Sequence, residues 1–291
     1  MPSLKDVRNK ISGVGKTKQI TRAMNMVASA KLRGAQTRVE KFRAYADRLH
    51  NVLQNLAASD LELSHPLLAA HEEVKKVGIV LITSDRGLAG AFNINIINEA
   101  LRIAREKRNE GKEVVFYCAG RKGRDAVRKA SFPIARDLAG EMGVFDFSLA
   151  ERIGLDVISA YLAHDLDEVY VIYSRFVSLM RQIPTPQRIL PVESVNTEEA
   201  PVGSKTEYTF EPAGPALLDV LLPRIVKALI YNGLLNTATS EQAARMTAMD
   251  NATRNCNDLI RSLTRLFNKT RQATITSELI DIVGGVEALK G

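Results

Sequence analysis

The chain has 291 residues, 45 % of them hydrophobic, with two cysteines, no tryptophan and a formal net charge of +7. That content supports a folded core and excludes a disordered chain. Cys118 and Cys256 stand far apart without CxxC or histidine-paired spacing, which excludes a disulfide framework and a zinc site; they read as buried small hydrophobes in a reducing compartment. Apolar runs such as Ile79 to Ile82 are too short to span a bilayer, and Met1 to Lys10 is neither a signal peptide nor a transit sequence. A soluble protein, or one peripheral to a membrane, is expected.

The charge is uneven. Residues 1–57 hold 12 Lys/Arg against 3 Asp/Glu, residues 58–211 hold 19 against 23, and residues 212–291 hold 9 against 7. A basic first segment suits a solvated helix face, an acidic protein partner or nucleic acid. No aromatic residue interleaves its basic positions before Phe42 and Tyr45, which argues against a platform for stacking single strands.

From Leu4 to Leu56 there is no proline, and two helical seams are legible: Leu4, Val7, Ile11, Val14, then Ala35, Val39, Phe42, Ala46, Leu49, Leu53, Leu56. They read as out of phase, with Ile20, Met24, Met26 and Val27 between them marking a local change of winding. Gly13-Val14-Gly15-Lys16-Thr17 imitates the end of a phosphate-binding loop, but Lys10 stands where that loop needs glycine and no strand precedes it. The glycines read instead as places of close helix approach or local flexibility.

His65-Pro66 stops the helical pattern. Val77 to Thr83 is a short apolar run of the buried parallel-strand kind, followed by the turn Ser84 to Asn93 and a helix from Ile94 to Asn109. A second strand, Glu113 to Cys118, leads through Gly120 into a helix at Arg121 to Lys129; a helix at Ser148 to His164 precedes the strand Glu168 to Phe176. Such alternation describes an α/β domain with a mostly parallel sheet. Gly87 and Gly90 do not make GxGxxG, and Ala119-Gly120 replaces the acidic residue of a dinucleotide site. Asp85 and Arg86 are read as a local charge pair or a cap on the following helix.

Six prolines between Arg181 and Pro215 indicate an edge strand and turns closing the domain, with Glu193, Glu198 and Glu199 making part of it acidic and Glu207 to Phe210 a further edge strand. Helix resumes near Ala216, with a bend at Pro223. From Arg224 to Val283 no proline occurs, enough for a helix of about 90 Å. Met249, Ala252, Cys256, Leu259, Leu263 and Leu266 form its coiled-coil seam. That seam requires a partner helix, supplied by the first segment of the same chain or, alternatively, by a second copy in a parallel dimer.

The expected fold is therefore α+β / α/β: a long antiparallel coiled coil of the N- and C-terminal helices with an inserted small α/β (Rossmann-like) domain. The expected divisions are 1–57 (first coiled-coil helix), 74–192 (inserted domain), 193–212 (connector and edge strand) and 213–286 (second coiled-coil helix). His50, His65, His71 and His164 are dispersed, and neither HExxH nor GxSxG occurs. An interaction protein without cofactor, metal or catalytic residues is favoured over an enzyme.

Three separated motifs carry a resemblance. Leu4-Lys5-Asp6-Val7-Arg8-Asn9-Lys10-Ile11 with Thr17 to Lys31, then Ser240-Glu241-Gln242-Ala243-Ala244-Arg245-Met246, then Asn268 to Ile280 resemble the gamma subunit of F-type ATP synthase, as does Ser84 to Asn93. Val286 stands where that family usually has alanine, and the cysteine-pair insertion of the chloroplast type is absent.

The resemblance implies a central-stalk rotor of the F1 part of a proton- or sodium-translocating ATP synthase, with no nucleotide site of its own. The implied partners are the alpha and beta subunits, the epsilon subunit and the membrane c-ring, with no nucleic acid and no small-molecule ligand. A basic coiled-coil nucleic-acid-binding protein is the alternative. A bacterial setting is expected, peripheral to the inner membrane on its cytoplasmic side.

Arg271, Gln272 and Thr276 match positions that hydrogen-bond a loop of the catalytic subunit, with Glu278 in the same motif and an electrostatic role beside the basic residues of the first helix. Met24 matches a position facing the catalytic subunit. Arg245 is expected to pair across the coiled coil or to the ring, and Glu207 and Tyr208 to contact epsilon or the membrane ring.

Overall fold

The computed structural model describes residues 3–57, 65–143, 146–192 and 214–288. The expected strand Glu207 to Phe210, with Glu193, Glu198 and Glu199, lies outside the described residues. In chain order the elements are α1 (Leu4–Ala57), β1 (Lys76–Ile82), α2 (Phe92–Asn109), β2 (Glu113–Ala119), α3 (Arg121–Lys129), β3 (Ile134–Asp137), α4 (Phe147–Leu162), β4 (Glu168–Phe176), β5 (Gln182–Leu190) and α5 (Gly214–Ala288). The chain groups into two compact units, one of residues up to 28 and from 246 on, the other of residues 29–245.

The larger unit is built on a five-stranded sheet in the order β3-β2-β1-β4-β5, parallel except for the antiparallel edge strand β5. β1 is apolar on both faces because both are covered. Val80 and Ile82 join Val171 and Tyr173 against Ile153, Val157 and Tyr161 of α4 and Val226, Ile230 and Leu234 of α5. Ile79 and Leu81 join Phe116 and Ile172 against Phe92, Ile96 and Ala100 of α2. Alternate residues thus serve opposite cores, as the two-residue period of a strand demands. β3 escapes the sequence pattern because it is a short edge strand with one half-buried apolar residue, Ile134.

Two glycines fix this packing. Gly120 joins β2 to α3 at φ 105, and a Cβ there would stand 2.2 Å from the Thr83 carbonyl oxygen, so both conformation and space require glycine. Gly233 lets α5 lie close on the sheet, where a Cβ would meet Ile82 Cδ1 at 3.0 Å. α5 begins at Gly214 and runs as one helix through Pro223, where a bend was expected.

In the smaller unit the two terminal helices pair within the chain, antiparallel. Thr21 and Thr253 join hydroxyl to hydroxyl at 2.8 Å, and the Asn25 side-chain amide donates to the Met246 carbonyl at 2.8 Å.

The seams differ from the sequence reading in two respects. On α1 the less exposed positions run Leu4, Val7, Ile11, Val14, Lys18, Thr21, Asn25, Ala28, Leu32, Ala35, Val39, Phe42, Ala46, Leu49, alternating steps of three and four. The two stretches are therefore in phase, and Ile20, Met26 and Val27 are exposed beside the seam. Polar Lys18, Thr21 and Asn25 bridge the apolar stretches and hid their continuity.

On α5 the seam runs Met249, Thr253, Cys256, Ile260, Leu263, Phe267, Thr270, Thr274, while Leu259 and Leu266 are exposed. Leu259-Ile260 and Leu266-Phe267 are adjacent apolar pairs, so either frame fits the pattern. Gly13 and Gly15 lie within α1, but a Cβ on either would meet nothing within 4 Å. Close helix approach at these glycines is thus excluded.

Candidate partner-binding surfaces

The smaller unit carries the charge: it holds 12 Lys/Arg against 6 Asp/Glu, whereas residues 29–245 hold 28 against 27. Carrying the antiparallel register from Thr21–Thr253 back to Leu4 reaches Thr270. Beyond Thr274, α5 has no facing residue of α1 among the described residues, and Ile275, Leu279, Ile280, Ile282, Val283 and Val286 are all exposed. Over about three helical turns this end of α5 is apolar and bare, as exposed patches at interaction sites are.

Arg271, Gln272 and Glu278 sit exposed on this stretch, and Thr276 bonds its hydroxyl back to the Gln272 carbonyl at 2.9 Å. Glu278 has no ion-pair partner among the described residues. Met24 is half-buried beside the seam of α1. Glu207 and Tyr208 lie outside the described residues.

Arg245 departs from expectation. Its guanidinium pairs with Glu241 one helical turn earlier and donates to the Gly87 carbonyl at 2.6 Å, with both side chains about 10 % exposed. It therefore ties α5 to the turn after β1. Burial pushes the Glu241 carboxyl above its ordinary value, opposed by the charge and hydrogen bond of Arg245. The four-residue spacing within Ser240 to Met246 was the available sequence signal.

The carboxyl ends of β1 and β4 form the crevice where open α/β sheets hold ligands, because the strand order reverses there. Here α5 occupies it. Ser240 Oγ donates to the Ser174 carbonyl at 3.0 Å, Thr237 Oγ1 accepts from Ser174 N, and Asn236 Oδ1 accepts from Phe176 N. Asp85, expected to pair with Arg86 or cap the following helix, instead accepts from the backbone N–H groups of Arg121, Gly140 and Met142, capping α3. α2 has its own device: Asn93 Oδ1 accepts from Ser84 N and Oγ, each at 3.0 Å.

At the opposite end of the sheet the fold brings together two histidines that are far apart in sequence. The His71 ring stacks on Tyr161 and lies tilted against His164, and its Nδ1 lies 2.7 Å from Asp167 Oδ1. Burial would raise the Asp167 carboxyl, but hydrogen bonds from His71 and the Lys76 and Lys75 N–H groups outweigh it and hold the group below its ordinary value. Asp167 so anchors the start of β1. Cys118 is buried and pushed up to about 12 by its apolar surroundings, an inert thiol. Among the described residues no group of three or more His, Cys, Asp or Glu could hold a metal ion, and no helix is long and apolar enough to cross a membrane.

These features define a class: a protein of two terminal helices paired antiparallel, with an α/β domain inserted between them whose ligand crevice is filled by its own helix. A family model described as ATP synthase matches residues 3–289. The ATP synthase gamma chain of Nitratidesulfovibrio vulgaris strain Miyazaki F is 60 % identical over the whole of both chains, and that of Lawsonia intracellularis 52 %.

Among solved structures, the central stalk and c-ring of the Tetrahymena thermophila mitochondrial ATP synthase contains a chain 26 % identical, with a TM-score of 0.57, covering 80 % of this chain and 99 % of that one. A chain of the Euglena gracilis mitochondrial enzyme shares the fold at 21 % identity and TM-score 0.67, covering 98 % and 94 %. The chain belongs to the gamma-chain family of F-type ATP synthases, and is a subunit of that complex.

Proposed function

We propose that the chain is the noncatalytic central-stalk rotor of the F1 part of ATP synthase, coupling rotation of a membrane c-ring to the conformational cycle of the catalytic subunits. The observation that carries this is the apolar, unpaired end of α5, Ile275 to Val286, continuing a helix pair that holds most of the net positive charge. Such a surface meets each catalytic subunit through a different face, and differential contact energy shifts the conformational population of each in turn. The α5 residues filling the sheet crevice support the absence of a nucleotide site.

In this reading Arg271, Gln272 and Thr276 bond a loop of the catalytic subunit, Glu278 and Met24 face the same subunit, and Glu207 and Tyr208 belong to the contact with epsilon and the membrane ring. Arg245 acts through the turn it holds. The working divisions are 1–57, 74–192, 193–212 and 213–286, and the location is the cytoplasmic face of the inner membrane, peripheral.

The test is reconstitution with matching alpha, beta and epsilon subunits. Co-migration with the ring and dependence of sustained Mg-ATP hydrolysis on this chain are expected; migration apart from the ring, with hydrolysis indifferent to it, overturns the assignment. Arg271→Ala keeps the chain folded, since an exposed helical position tolerates alanine, and lowers coupled turnover. Unchanged turnover and assembly remove Arg271 from the contact.

A further inference from the structure

The hairpin turn between β4 and β5 belongs to no surface described so far. Val177, Leu179 and Met180 are 47 %, 41 % and 82 % exposed, three large apolar side chains within four residues. The turn that carries them is firmly built. Val177 N and Ser178 N donate to the Arg181 carbonyl, Arg181 N donates back to the Ser178 carbonyl and hydroxyl, and the Gln182 amide donates to the Ser178 and Leu179 carbonyls at 3.0 and 2.9 Å. A backbone closed on itself in this way presents its side chains in fixed directions.

Charge frames the tip. Arg175 on β4 and Arg181 at the end of the turn are exposed, and neither has an acidic partner among the described residues. Arg102, Arg124, Arg128, Arg136 and Arg152 elsewhere in this unit pair with carboxylates, whereas Arg86, Arg105 and Arg121, like Arg175 and Arg181, are exposed without one among the described residues. The opposite rim of the sheet shows a different character, with Lys107, Lys112, Glu110 and Glu168 neutralising one another.

We propose that the turn from Val177 to Arg181 is a docking knob for another protein subunit of the assembly, one presenting an apolar socket with carboxylates on its rim. The apolar tip supplies the buried centre of such a contact, and the two guanidinium groups, which have no carboxylate partner among the described residues, match the acidic rim. A membrane surface is the poorer occupant, because three side chains on one turn bury too little apolar area to hold a bilayer. Nucleic acid offers phosphates to the arginines but no socket to Met180. The inference goes beyond the rotor reading, though it takes from it that the chain works within a complex.

Met180 provides its own probe, since an exposed thioether is oxidised by peroxide and a buried one is protected. The full chain, free and within the reconstituted complex, is treated with dilute hydrogen peroxide and Met180 sulfoxide is followed by mass spectrometry. Assembly should slow oxidation about tenfold or more, and Met180→Glu and the double reversal Arg175→Glu with Arg181→Glu should weaken incorporation by a similar factor. Circular dichroism of the free variants confirms their folding.

Equal oxidation of Met180 in the free chain and in a complex that demonstrably contains it overturns the knob while leaving the rotor reading intact. Binding of the free chain to anionic vesicles that depends on Met180 overturns the protein occupant. A chain that never enters the complex overturns both readings.

Discussion

One helix, α5, lives in two environments. From Ile225 to Arg245 it is buried on nearly every face, including polar Thr237, Thr239, Ser240 and Glu241, because the sheet, α4 and the turn after β1 crowd round it. From Asp250 to Val286 only a seam is covered, and large apolar residues stand exposed. The first stretch therefore uses polar groups where a core would use leucine, and the second uses leucine and isoleucine where a surface would use charge. Residue type follows what each stretch meets within the chain: sheet and helix on nearly every side in one case, the single seam of α1 in the other.

The contrast breaks most completely at Gly120→Ala. The added carbon collides with backbone and the conformation disfavours any side chain, so a loss of about 3 kcal/mol or more is expected in chemical denaturation. Next comes Arg245→Ala, which strands Glu241 as an unpaired buried carboxylate and costs about 3 kcal/mol by the same measurement.

Glu241 also gives the sign of a pH effect. The folded protein holds its proton more tightly than the unfolded chain, so between the ordinary value, 4.5, and the raised folded value the folded state binds more protons. Stability falls as pH rises through that window. Denaturation of Glu241→Gln across pH should lack this slope.

Smaller effects separate the frames of the seam. Ile260→Ala or Phe267→Ala should cost about 1–2 kcal/mol, and Leu259→Ala or Leu266→Ala no more than about 0.5 kcal/mol in thermal melts of the free chain. Equal costs would mean that the other frame faces α1. Smallest is Gly13→Ala, expected to raise stability by about 0.5–1 kcal/mol, because the helix gains propensity and the new carbon meets nothing.

Most of the architecture was legible in the residues. β1 announced itself by an apolar run, and the long helices by the lack of proline over Leu4 to Leu56 and from Arg224 on. What stayed hidden was decided by tertiary contact. Adjacent apolar pairs such as Leu259-Ile260 offer two frames, and only the facing helix selects one. Lys18, Thr21 and Asn25 interrupt the apolar pattern of α1 while keeping its phase. Arg245 carried the right partner, Glu241, at helical spacing, but its second partner, Gly87, is 158 residues away. Arg271, Gln272 and Thr276 are singled out only by the family motif and stay proposed contacts, since an exposed polar residue on a helix says nothing by itself.

The unbroken seam of α1 has a mechanical meaning. A strict seven-residue repeat falls short of two full α-helical turns, so paired helices that keep it wind about each other left-handed. The order in which apolar residues are spaced along α1 thus sets the hand in which the helix pair winds.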